Sequence, residues 1–91
     1  MKDLSEIRKE IDSIDSKLIE LFCARMDIVK EVAAYKIAND MQVLHPEREE
    51  AILQRAAEAA GEEYAGYARA LFSELMRLSR DMQQKMIDER E

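Results

Sequence analysis

LSEIRKEIDSIDSKLIELFCARMDIVKEVAAY, residues 4 to 35, decides the fold. Leu4, Ile7, Ile11, Ile14, Leu18, Leu21, Ile28, Val32 and Tyr35 recur three and four apart, the spacing of a long helix packed against other helices. Arg25 stands in the same row. A cation in an apolar seam is costly unless something anionic meets it, so Arg25 points to a partner or a ligand. Taken alone, an arginine in such a seam is more often a device that sets the register of paired helices than a ligand site.

Outward from this stretch the punctuation is clear. Asp3 followed by Glu6 reads as a capping box, and without Pro or Gly the first helix is expected to run to about Ala38, with Asn39 and Asp40 as its stop. Met41 to His45 form a short loop. Pro46 suits the first turn of a second helix, Glu47, Glu49 and Glu50 complement its N-terminal dipole, and Gly61 ends it about four turns later. The third helix is expected to start near Tyr64 or Tyr67, to carry Leu71, Phe72, Leu75, Met76, Leu78, Met82 and Met86, and to fray in the charged tail from Asp88 to Glu91. No internal repeat or low-complexity linker interrupts the chain.

The 91 residues leave room for one domain, taken as 1–91. Two Gly and one Pro in a chain dominated by Ala, Leu, Met, Glu, Lys and Arg favour helix throughout, so the expected class is all-α with three helices, one of them very long. The net charge of −6 argues against nucleic acid or an anionic membrane as a partner, while a local basic cluster still suits a small anion. Cys23 is the single cysteine, which excludes a disulfide within the chain. It reads as a small buried apolar residue, and the methionines read as core filler. With no signal peptide at the start and no apolar run long enough to span a bilayer, the cytoplasm is the expected location.

A helix of about 35 residues is roughly 50 Å long, whereas a compact globule of this chain length has a radius of gyration of about 12 Å. Two shorter helices cannot cover such a seam from end to end. The expected assembly is therefore an intertwined homodimer with the long helices paired about a twofold axis.

Polar residues can be placed on these helices. With the seam as a and d positions, Arg8, Asp15, Phe22, Val29 and Lys36 form the adjacent stripe. Arg25 and Lys36 lie on nearly one face about 16 Å apart, so their side chains can converge on a small molecule; Arg8 is about 25 Å from Arg25 and reaches such a site only in an antiparallel partner. On the third helix Phe72, Met76, Ser79, Gln83 and Met86 make one stripe, and Ser79 and Gln83, as i and i+4 neighbours, address a common point. Arg48 and Glu49, early in the second helix, can close the site. Such a set suits a small dianion bearing a hydroxyl. Read singly, Arg8 and Lys36 are ordinary surface charges, Arg48 and Glu49 first-turn charges, and Ser79 and Gln83 tolerated polar spots. Asp12 and Asp15 read as helix surface or pairing residues.

Ile7-Arg8-Lys9-Glu10-Ile11-Asp12-Ser13-Ile14-Asp15, followed by Leu18, Leu21 and Arg25, resembles the first helix of the AroQ-class chorismate mutases. Lys36 stands where that family has its catalytic lysine, Arg48-Glu49 matches the pair opening its second helix, and Phe72 through Ser79 to Gln83 matches its third. The resemblance covers nearly the whole chain. It implies a Claisen rearrangement of chorismate to prephenate, the branch step toward phenylalanine and tyrosine, with no metal and no cofactor. It further implies that Lys36 and Gln83 donate to the ether oxygen, that Arg25 and Arg8 of the partner subunit clamp the carboxylates, that Ser79 assists at a carboxylate, that Glu49 accepts from the ring hydroxyl and that Arg48 supports it. His45 departs from the family's usual Asp, which leaves a backbone contact there.

Two other functions use the same scaffold: an isochorismate-pyruvate lyase, and a non-catalytic helical dimerisation module in which the polar residues specify register. Because Gln83 does not titrate, a mutase built on it should need no acid to supply that donor, and its activity should persist from neutral to mildly alkaline pH. The residues leave open whether the domain stands alone or belongs to a fusion.

Overall fold

The computed structural model describes residues 1–90; Glu91, part of the expected fraying tail, lies outside them. Three helices follow in order, α1 (Leu4–Ala38), α2 (Pro46–Ala60) and α3 (Ala65–Arg90). α3 packs against both others, while α1 and α2 are not packed on each other among the described residues. The molecule measures 56 × 27 × 14 Å and its radius of gyration is 16.6 Å. That exceeds the compact expectation because α1 overshoots the other two.

Capping decides where each helix begins and ends. Asp3 Oδ1 accepts from the Glu6 amide at 2.9 Å, which starts α1. At the other end the Asp40 N–H donates to the Ile37 carbonyl and the Met41 N–H to the Lys36 carbonyl at 2.8 Å, with Asp40 at a φ of 53°. This is a Schellman closure with aspartate in the left-handed position that glycine usually fills. It turns the chain back over the last turn of α1. Pro46 opens α2 without needing a donated N–H, and Gly61, at φ 86°, ends it.

The apolar row that predicted α1 does not face the chain's own helices. Leu4, Ile7, Ile11, Ile14, Leu18, Leu21, Ile28, Val32 and Tyr35 are all between 40 and 68% exposed. The neighbouring stripe faces α3 instead: Val29 and Ala33 are buried, as is Met76 on α3, and α1 packs on α3. Ala33 allows this, because its small side chain admits α3 close to the α1 backbone. The seam is thus rotated by about one residue from the intrachain contact.

Three further expectations need correction. Cys23 is exposed, because it lies on a face of α1 that neither α2 nor α3 covers. Of the methionines only Met76 is buried; Met26, Met82 and Met86 are half-buried, and Met1 and Met41 are exposed. α3 does not fray at Asp88: it remains helical through Arg90, where Lys85 pairs with Asp81 at 3.2 Å and Gln84 donates to Asp88 at 3.0 Å along its surface.

Candidate active site

Between the C-terminal half of α1, the start of α2 and the middle of α3 lies a cavity of about 380 Å³. Arg25, Lys36, His45, Arg48, Glu49, Ser79 and Gln83 all line it. The sequence had placed these residues on three separate helices; the fold brings them to one space. Arg8 is exposed on the N-terminal half of α1 and lines no part of the cavity.

Four of these side chains are held in two pairs, Arg25 with Ser79 and Lys36 with Gln83. Arg25 Nη1 donates to Ser79 Oγ at 2.7 Å, and Ser79 donates in turn to the Leu75 carbonyl at 2.8 Å. Ser79 is buried, so this chain fixes the guanidinium from below while its remaining N–H groups stay available. Lys36 Nζ donates to Gln83 Oε1 at 2.9 Å and to the Val43 carbonyl at 2.8 Å. With its oxygen turned to Lys36, Gln83 keeps its amide hydrogens for something else, and two of the three ammonium donors of Lys36 are engaged. A ligand atom in the cavity can therefore receive hydrogen bonds from both.

Burial lowers the pKa of Lys36, partly offset by the negative charge of Glu49. Burial also lowers that of Arg25, and the Arg48 guanidinium adds repulsion. Both are cations held in a partly desolvated place with too little negative charge to satisfy them. The lining carries Arg25, Lys36, Arg48, Arg55 and Arg80 against a single carboxylate, Glu49. In a chain of net charge −6, this is a basic pocket on an acidic protein.

Sequence reasoning missed three contributors. Arg80 Nη1 donates to Glu49 Oε1 in a part-buried ion pair. Arg80 follows Ser79 directly, about 100° round the helix, so a search for polar breaks within one stripe passes over it. Arg55 repeats the Arg48 face two turns along α2, a periodicity that was there to be read. The Val43 carbonyl gives no sequence signal, since any residue carries one. His45, expected as a surface loop residue, is half-buried at the N-cap of α2, with Nε2 at 2.8 Å from the Gln42 carbonyl.

No group of three or more metal-ligating side chains occurs among the described residues, and none of their helices is long and apolar enough to cross a membrane. What the cavity presents is fixed cations, one carboxylate and an amide donor. It can grip a small anion and hold it in one shape.

Comparison with known proteins gives a consistent picture. Residues 7–84 match the family described as chorismate mutase type II. A T-protein of Haemophilus influenzae is 40% identical over 85% of this chain, which covers 20% of that protein. A chorismate mutase of Methanocaldococcus jannaschii is 40% identical over 60% of the chain and 56% of its own length. A bifunctional chorismate mutase/prephenate dehydratase of Aquifex aeolicus is 33% identical over 72% of the chain and 18% of its own length. The chain thus spans about a fifth of the longer relatives and about half of the shorter one. No solved structure matches it.

Proposed function

The chain belongs to the chorismate mutase type II family, and we propose that it rearranges chorismate to prephenate in aromatic amino-acid biosynthesis. The observation that carries this reading is the convergence of Arg25, Lys36, Glu49, Ser79 and Gln83 from three helices on one cation-rich cavity. The reaction is unimolecular and needs no nucleophile. Catalysis consists of holding the enolpyruvyl arm over the ring and stabilising charge that grows on the ether oxygen.

In this reading Lys36 and Gln83 donate to the ether oxygen, with the Lys36–Gln83 bond orienting the amide. Arg25, fixed by Ser79, clamps one carboxylate, since a guanidinium fork matches a carboxylate in two places. Glu49 accepts from the ring hydroxyl. Arg48 supports it, and His45 contributes backbone.

Arg8 of the partner subunit completes the clamp in an antiparallel homodimer. Support for the dimer comes from area. The chain exposes 7255 Å², whereas a compact monomer of this mass exposes about 5,500 Å². The excess of about 1,800 Å² is more than a standard interface takes from one partner and within the range of obligate dimers. The exposed row on α1 is where that excess is apolar. A cytoplasmic setting and a single domain over 1–91 complete the proposal.

Turnover of chorismate by purified protein, with product identification, tests it. Lys36→Ala should lower kcat about a hundred- to a thousandfold while leaving the oligomer and helicity intact. Pyruvate released from isochorismate, with no prephenate from chorismate, would establish the lyase instead. An oligomer lost together with Lys36 and no turnover by the wild type would establish the dimerisation module.

A further inference from the structure

Two cations compete for Glu49, the carboxylate of the cavity. Lys36 approaches from α1 and feels its charge. Arg80 approaches from α3 and takes the bond, Nη1 donating to Oε1. The Lys36 ammonium donates to Val43 and Gln83 instead. Arg80 and Glu49 are only 34% and 22% exposed at their side chains, so their pairing is screened less than that of a fully solvated ion pair.

The arithmetic of donors and acceptors makes this division consequential. A carboxylate offers about four lone-pair positions on two oxygens, and an ammonium offers three hydrogens. Arg80 engages Oε1 and leaves Oε2 as an acceptor. Lys36 has two hydrogens engaged and one left over. A direct Lys36–Glu49 contact would consume that hydrogen and that acceptor together. The remaining charged or titratable groups of the lining are Arg25 on α1, His45 before α2, and Arg48 and Arg55 on α2.

We propose that Arg80 is a positioning residue for this site: by holding Oε1 of Glu49 it keeps Oε2 open to a ligand hydroxyl and keeps Glu49 off the last free hydrogen of Lys36. The identity of that ligand rests on the mutase reading above; the pairing itself does not. Arg80 touches neither the ether oxygen nor the carboxylates in this scheme. It acts through Glu49.

Two measurements on Arg80→Gln, Arg80→Lys, Glu49→Gln and the Arg80→Gln/Glu49→Gln double variant test the proposal. The first needs no substrate: the titration of Lys36 is followed by NMR of lysine labelled at Cε, with the signal assigned through Lys36→Arg. In Arg80→Gln the midpoint should rise by about one pH unit as Glu49 turns to Lys36, and Arg80→Lys should restore most of the wild-type value. In the Glu49→Gln background the same Arg80 change should move it little. An unmoved midpoint in folded Arg80→Gln, or an equal rise in both backgrounds, overturns the role.

The second measurement is chorismate turnover. Arg80→Gln should lower kcat/KM about tenfold, and should add little to the loss already caused by Glu49→Gln. Full additivity overturns the proposal. A wild-type protein that does not convert chorismate overturns the mutase reading, and the titration then still decides the relation of Arg80 to Glu49.

Discussion

The two halves of α1 share one apolar row and have different surroundings. From Arg25 to Lys36 the helix lies on α3, with Val29 and Ala33 buried and both cations bonded across to it. From Leu4 to Leu21 every residue is exposed and no other helix of the chain lies alongside. The hydrophobic period is the same throughout, so local propensity does not distinguish them. What differs is who supplies the cover. The C-terminal half is covered by its own chain along the stripe of Val29 and Ala33, while the N-terminal half, like the row of Ile28, Val32 and Tyr35, is covered in the proposed dimer only by association, which makes its folding depend on protein concentration.

The largest effect should come from breaking the uncovered half. Leu18→Glu would put a carboxylate into the row of both copies, at a cost of several kcal/mol for each buried unpaired charge, comparable with the whole stability of a small domain. Sedimentation and circular dichroism should show loss of the dimer together with much of the helix. A variant that sediments and melts like the wild type would remove the basis for the comparison.

Sharing of the site between halves has a sharper signature. Arg8→Ala and Lys36→Ala should each be nearly inactive alone. Refolded as a mixture, they should form hybrid dimers with one fully wild-type site, so random pairing recovers about a quarter of wild-type activity. No recovery from hybrids verified by mass spectrometry would place Arg8 outside the site.

A smaller effect concerns pH. Burial lowers the Lys36 pKa from its ordinary value of 10.5, and its protonated form is the donor. The alkaline fall of kcat/KM, which reports the free enzyme, should therefore begin below the range of an ordinary lysine. A bound dianion favours the ammonium, so the fall in kcat should come at higher pH. On the acid side Gln83 demands no protonation. Initial rates from pH 5 to 10 check all three statements, and a rate that needs a group protonated near pH 5 would contradict the role given to Gln83.

The smallest effect lies at the end of the covered half. Asp40 pays for its left-handed conformation, and Asp40→Gly should raise stability by up to about 1 kcal/mol. Urea denaturation at fixed protein concentration reads this directly. A loss of stability would mean that the aspartate side chain contributes more than its backbone costs.

The helix ends were legible because each has a chemical marker: Asp3, Asn39-Asp40, Pro46 and Gly61. Arg25, Ser79 and Gln83 were legible as polar interruptions of apolar stripes, Lys36 by its spacing from Arg25 and Glu49 as a charge at the start of α2, and the cavity gathers them. The facing of α1 was not. A period of three and four reveals that an apolar face exists and is silent about which neighbour covers it; Val29 and Ala33 look less like a core than Ile28 and Val32 do. Arg80 was missed for a related reason, since its contact with Glu49 is tertiary and no interval within α3 encodes it. Cys23 was expected inside on residue type alone, and its face of α1 decided otherwise.

The oxygen that holds Lys36 beside Gln83 belongs to the main chain of residue 43. Mutation can replace the valine without removing that acceptor. Evolutionary drift in the side chains between Asp40 and Pro46 is therefore cheap, whereas insertion or deletion of a single residue there would move the acceptor off the ammonium. Among descendants of this chain, the turn should vary freely in spelling and hardly at all in length.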